Sequence, residues 1–301
     1  MAVKIEDLVH FGNLDFLAKK AVEGFVTGLH KSPYNGFSVE FSEHNQYNTG
    51  DSTRHIDWKV FGRTDKLYLK NYEDETNLRC QIIIDASSSM YYPRNNFGKI
   101  KFSCLAAASL CYLIQKQRDA VGYISFSNEI ETSTPLKSSK THLYKIFMQL
   151  EQLMQKDKQN QSTGLVSVLH HVAYKLKRRN LIVLFSDMLE NIQHWDLIFP
   201  ALQHLKFQHH EIIIFHTIHK ATEVNFTFED KAHIFKDLES GKEVRLNPSQ
   251  VREVFVENAK IKQKELYLKC AQYKIDLIEV DIDQPIDQIL QGYMIKRRKM
   301  K

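Results

Sequence analysis

The stretch Cys80-Gln81-Ile82-Ile83-Ile84-Asp85-Ala86-Ser87-Ser88-Ser89-Met90 puts an acid at the end of an apolar run, with hydroxyls two and four residues on. A carboxylate with neutral oxygen donors is the hard ligand set that suits Mg²⁺ best, with Mn²⁺ or Ca²⁺ as substitutes. The apolar run predicts a fully buried strand. In open parallel sheets ligands sit just beyond the carboxyl ends of strands, where Asp85, Ser87 and Ser89 would converge. The competing expectation is a polar strand-to-helix turn with Ser89 as an N-cap. Two distant residues favour the site. Asp187 follows a second apolar run, 181–185, and Thr163 lies in the loop before the helix that feeds that run. Neighbouring strand ends are then expected to bring Asp85, Ser87, Ser89, Thr163 and Asp187 to one point. Two carboxylates and three hydroxyls make an incomplete shell of low charge, which leaves a position for water or for an acidic group from a partner.

Enzyme chemistry fits these residues less well. A phosphoaspartyl phosphatase needs a second acid close to the nucleophile, and position 87 is Ser. A serine hydrolase elbow needs G-x-S-x-G, and Ala86 and Ser88 flank Ser87. His209, His210, His216 and His219 lack the spacing of a zinc site, so a structural or surface role is expected. At Gly24 to Ser32 a phosphate loop fails, because Leu29 precedes His30 and Lys31. The alternative kept open is a metal-dependent hydrolase, phosphoesterase-like, using the same Asp and Ser cluster. A third possibility is a scaffold whose serines only cap a helix.

The elements that must position the cluster follow from periodicity. Residues 5–29 carry a helical face through Leu8, Phe11, Leu14, Leu17 and Ala18. Residues 32–75 are polar and aromatic, with an alternating strand at 37–41 and a turn at 48–51. Arg54, Asp57 and Trp58 lie within this part and are expected to serve as a structural or interface group. From 79 onward strands and helices alternate: strands at 80–85, 120–126, 181–185, 211–218 and 275–280, an edge strand at 129–136, and helices between them. This predicts an α/β fold, a doubly wound, mostly parallel sheet with helices on both faces. Residues 219–250 interrupt the rhythm and predict a β-hairpin insertion. The expected domains are a small helix and strand domain at 1–78 and the sheet domain at 79–301.

The 301 residues carry 41 basic and 36 acidic side chains, a net charge of +5. Lys296, Arg297, Arg298, Lys299 and Lys301 stand in the last six positions, so the body is near neutral and no nucleic-acid surface is expected. The tail is expected to be solvated. Cys80, Cys104, Cys111 and Cys270 form no CxxC pair and are expected as buried free thiols in a reducing, cytoplasmic setting. Neither a signal-peptide core nor an apolar run long enough for a membrane span is expected.

Asp85, Ser87 and Ser89, then Thr163, then Asp187 occupy in order the pattern of the metal-ion-dependent adhesion site of a von Willebrand factor type A (vWA) domain, which this part of the chain resembles. Met188 stands where many such domains carry Gly. The earlier part narrows the resemblance: Gly28-Leu29-His30-Lys31-Ser32, Gly36 to Phe41, Tyr47 to Asp51, and G-D-x-x-R-x-I-D-W in full from Gly50 to Trp58. These resemble the bacterial MoxR-associated DUF58 family, which carries a vWA domain. The resemblance implies a non-enzymatic cytosolic factor beside a MoxR-type AAA+ ATPase, in chaperone-like assembly or activation of client proteins. From the cluster's own chemistry, the client is expected to offer an acidic residue to the metal.

Overall fold

The structure, a computed structural model, describes residues 14–30, 45–46, 61–63, 65, 67–69, 78–94, 98–156, 163–188, 192–238 and 241–300. The chain divides into two compact units, Gly28–Asn77 and the remainder. It opens with α1 (Leu14–His30), whose Leu14, Leu17, Ala18, Ala21 and Val22 are buried. The Leu14 N–H donates to Glu151 Oε1 at 3.0 Å. The amphipathic face and this bond explain a departure from the expected boundary: residues 14–27 group with the sheet unit, not with the small domain. Among the described residues the smaller unit holds a short antiparallel pair, β1 (Asn45–Gln46) and β2 (Tyr68–Leu69), and a helical turn at 61–63. The expected strand at 37–41, the turn at 48–51, and Arg54, Asp57 and Trp58 lie outside the described residues.

The larger unit continues through β3 (Arg79–Asp85), a 3₁₀ turn (Ser88–Tyr91), α2 (Gly98–Lys116), β4 (Ala120–Phe126), β5 (Ile130–Ser133) and α3 (Lys140–Gln155). Next come α4 (Leu165–Lys175), β6 (Leu181–Ser186), α5 (Ile192–Phe207), β7 (Glu211–Ile218) and the single turn α6 (Lys220–Glu223). Then follow β8 (His233–Lys236), β9 (Glu243–Leu246), α7 (Pro248–Gln272), β10 (Asp276–Asp281) and α8 (Asp287–Met300). The main sheet has the order β10-β7-β6-β3-β4-β5. Its pairs are parallel except β4 with the edge strand β5. This is the expected doubly wound, vWA-like α/β sheet. β3 is flanked by β4 on one side and β6 on the other, so the sheet's topological switch point lies at the carboxyl ends of β3 and β6.

Side-chain alternation divides the core. Ile83, Ile124, Phe126, Ile182, Leu184, Ile212 and Ile214 face one layer, where Leu169, Val172, Phe199, Leu202, Leu266 and Cys270 of α4, α5 and α7 meet them. On the other face α2 packs on β3, β4 and β7, and also on α3 and α8. Burial of Cys104 through Cys111 makes α2 apolar around its whole girth. Each fully buried isoleucine of β3 contributes about 1.5–3 kcal/mol relative to exposure. Local signals set the ends: the Ser139 hydroxyl accepts from the His142 N–H, and Pro248 begins α7.

Two sequence expectations change. The alternating Phe226-Thr227-Phe228 forms no strand. Phe226 instead stacks on Phe235 at 5.4 Å and lies 4.4 Å from Phe255, beneath the antiparallel hairpin β8–β9. Lys296 does not belong to a solvated tail, because it pairs at 2.7 Å with both Glu211 and Asp276. Among the described residues no helix is long and apolar enough to cross a membrane.

Candidate metal centre

β3 ends in Asp85, which is 1% exposed. Its Oδ1 accepts the Ser87 N–H at 2.9 Å, and its Oδ2 accepts the hydroxyl of Ser186, at the end of β6, at 2.8 Å. These two bonds fix the carboxylate between adjoining strand ends. The Ala86 N–H donates to Phe126 O at 2.7 Å, which ties the turn to the end of β4. The chain then enters the 3₁₀ turn, and the Ser87 and Ser89 hydroxyl oxygens lie 3.1 Å apart. Ser87 caps nothing with its side chain, and α2 begins only at Gly98. The helix-cap account of these serines therefore fails. Their hydroxyls are buried against each other beside Asp85.

Asp187 is the residue after β6 and is 2% exposed. Its charge reaches Asp85. Burial first, and the Asp187 charge second, raise the Asp85 carboxyl from 3.8 to about 7, against the lowering effect of the Ser87 and Ser186 bonds. Two buried acids this close favour a shared cation or a proton. Met188 follows with φ of 49°, in the left-handed region, which explains the glycine expected there. The Met188 side chain is buried, and its N–H donates to Ser186 Oγ at 3.1 Å, which holds the turn in place of glycine's freedom.

Thr163 lies half-buried in the loop before α4. The next residue fixes that loop. The Gly164 N–H donates to Ser127 O at 2.7 Å, just past β4, and a Cβ on Gly164 would stand 2.1 Å from Asn128 O. Only glycine permits this approach. Thr163 is thereby placed by the carboxyl end of the strand next to β3. Among the described residues no hydrogen bond joins it to the Asp85–Ser89 group.

Sequence reasoning missed three supporting residues, Lys99, Ser186 and Glu223, and His216 takes the structural role expected of it. Lys99 is fully buried at the start of α2, and its ammonium donates to Asp187 Oδ2 at 2.7 Å and to Glu223 Oε1 of α6. Burial alone would lower the Lys99 pKa, but Asp187 and then Glu223 outweigh it, and the net shift is upward. Ser186 bridges β6 to Asp85, as described. His216 Nε2–H donates to Asp187 O at 2.9 Å, and burial lowers its pKa, so it is neutral near pH 7. The signal for Lys99 was its phase: it shares a helical stripe with the buried Phe102, Ser103 and Ala106. Glu223 carried none, because α6 is a single turn.

The donor set fits a hard divalent cation. The Lys99 ammonium is shared by Asp187 and Glu223, while the buried Asp85 carboxyl is held by Ser87 and Ser186 and has no cationic partner among these bonds. Among the described residues no group of three or more His, Cys, Asp or Glu side chains could hold a metal. Beside the two acids, Ser87 and Ser89 present hydroxyls, a kind of donor that Mg²⁺ accepts. The four histidines do not converge: His210 Nδ1 accepts from the Asn180 N–H, while the His219 ring pairs with Thr222 and Asp283.

Fold and site together define a vWA-like α/β domain with a D-x-S-x-S cluster at its switch point. Within that class the chain belongs to the DUF58 family, described as protein of unknown function DUF58, which matches residues 43–265. Uncharacterized proteins of Mycobacterium tuberculosis and Mycobacterium bovis are 22% identical to it over 176 residues, 58% of this chain. The chain spans about half the length of these curated relatives, 55%. Among solved structures it is similar to the conserved hypothetical protein BatB from Bacteroides thetaiotaomicron, at 13% identity and a TM-score of 0.45, over 74% of this chain and 100% of that one. It is also similar to the vWF domain of the type V pili tip protein Mfa5 from Porphyromonas gingivalis, at 11% identity and a TM-score of 0.34, over 73% of this chain and 95% of that one. The fold assignment itself rests on the strand order and on the family.

Proposed function

We propose that this chain is a non-enzymatic, metal-dependent protein-binding adaptor. Asp85, Ser87, Ser89, Thr163 and Asp187 would hold Mg²⁺, or Mn²⁺ or Ca²⁺ in its place, and an acidic side chain of a client protein would complete the coordination. The observation that carries this reading is the pair of buried acids at adjoining strand ends beside two touching hydroxyls, a polar group with more negative charge than its one lysine balances. The metal's contribution would be a fixed positive charge for the client's carboxylate. The protein's own residues exclude water and hold the ligand oxygens in register. The resemblance adds a MoxR-type AAA+ ATPase as the working partner, in assembly or activation of clients, and a cytoplasmic setting. The test is a pull-down with the purified chain in Mg²⁺ and in EDTA, read by mass spectrometry. Capture of the ATPase or a client should require the metal and be lost in a folded Asp85→Ala/Asp187→Ala protein. Equal capture in EDTA refutes the reading.

One observation favours a second reading. A carboxyl raised to about 7 is poised for acid–base work, so a metal-dependent phosphoesterase remains the alternative. Phosphate-ester turnover that disappears with Asp85→Asn would establish it.

A further inference from the structure

Lys99 has no place in a simple shell of carboxylates and hydroxyls, yet it is 0% exposed and its ammonium lies 2.7 Å from Asp187 Oδ2. It is held on its own side by the chain: the Lys99 N–H donates to Tyr92 O at 3.0 Å, and Gly98 before it takes φ of 66° against the Tyr91 carbonyl. The start of α2 is thereby fixed, and from it the buried ammonium reaches Asp187. On its far side is Glu223, which also accepts the His219 N–H at 2.7 Å through its other oxygen. Three loops at the carboxyl edge of the sheet, those after β3, β6 and β7, thus meet at one ammonium.

We infer that Lys99 and Glu223 are positioning residues that set how strongly the cluster holds a divalent cation, an inference that rests on the metal-site reading above. Lys99 draws Asp187 Oδ2 away from the ion and subtracts one charge from the site. Glu223 shares that ammonium and returns the charge, without touching the ion. Removing Glu223's charge leaves Lys99 to Asp187 alone and weakens the site, whereas removing the ammonium strengthens it. A pair that only held the loops together would weaken metal binding whichever member was lost. The α6 turn, which opens the segment leading to the β8–β9 hairpin, is in this way coupled to the metal through Glu223.

The test is Mn²⁺ binding to the full chain at pH 8 by calorimetry, with folding checked by circular dichroism. Glu223→Gln should bind Mn²⁺ at least about tenfold more weakly and Lys99→Met at least about tenfold more tightly, the scale of one charge a few ångströms from a divalent ion in a partly screened interior. The double variant Lys99→Met/Glu223→Gln should return close to wild type. Should Lys99→Met fail to fold, Glu223→Asp decides: it keeps the charge and should match wild type, while Glu223→Gln does not. Weakening in both single variants, or equal losses in Glu223→Asp and Glu223→Gln, overturns the inference and leaves the metal site standing. A wild-type chain that binds no Mn²⁺ at millimolar concentration overturns the metal reading itself, and this inference with it.

Discussion

Asp85→Asn should abolish a specific pH dependence of stability. The folded carboxyl titrates at about 7 and its ordinary value is 3.8. Between those values the folded chain keeps a proton that the unfolded chain has lost, so stability falls as pH rises from about 4 to 7 and is level above that. At about 1.36 kcal/mol per pKa unit, the interval corresponds to roughly 4 kcal/mol of destabilisation at pH 8. His142, His210 and His216 tilt the curve the other way, because burial lowers their pKa values from the ordinary 6.5, so stability is lost as pH falls below that value. The observable is therefore the difference between wild type and Asp85→Asn, measured by urea unfolding in EDTA. Asn keeps an oxygen for the Ser87 N–H, so the variant should gain on wild type by a few kcal/mol from pH 4 to pH 8. Mg²⁺ should stabilise wild type at pH 8 far more than at pH 5, where a proton competes for the same oxygens. A difference that stays constant with pH would show that neither burial nor the Asp187 charge raises the Asp85 carboxyl in the folded chain.

Gly164→Ala should destabilise by about 2 kcal/mol or more, because its methyl would meet the Asn128 carbonyl, and should weaken metal binding by displacing Thr163. Thermal melts and calorimetry check both, and an unchanged melt refutes the close approach. Met188→Gly relieves a left-handed residue, about 1–2 kcal/mol, but empties a buried side-chain position worth about 2–5 kcal/mol. A net loss of about 1–3 kcal/mol is expected, and a gain would show that Met188 is not held in the core. Lys296→Met removes the partner of Glu211 and Asp276 and should lower stability by about 1 kcal/mol, since both acids are partly solvated.

The sheet was legible because its four central strands, β3, β4, β6 and β7, are buried on both faces. The runs at 82–84, 181–185 and 212–215 can be read as continuous apolar segments, and the ends of β4 and β7 fall where the polarity changes. The placement of Asp85, Ser87, Ser89 and Asp187 at adjoining strand ends was legible, because strand ends at a switch point lie side by side whatever the loop details. The hidden half of the site lies in long-range pairing. Lys99 meets Glu223 across 124 residues, and no local pattern encodes that meeting. Phe226 and Phe228 alternate as a strand would, but alternation also serves an aromatic cluster under a hairpin. The periodicity of α1 marked a helix, but its bond from the Leu14 N–H to Glu151, far along the chain, follows from no local pattern.

The proposed site holds a divalent cation among Asp85, Ser87, Ser89, Thr163 and Asp187. Crystals of the full chain grown with Mn²⁺ and measured at the manganese absorption edge test it most directly. One strong anomalous peak is expected within coordination distance of the Ser87 and Ser89 hydroxyls, beside Asp85 and on the side of Asp187 away from Lys99. A cluster without a peak at millimolar Mn²⁺, or with the ion bound elsewhere on the chain, would contradict it.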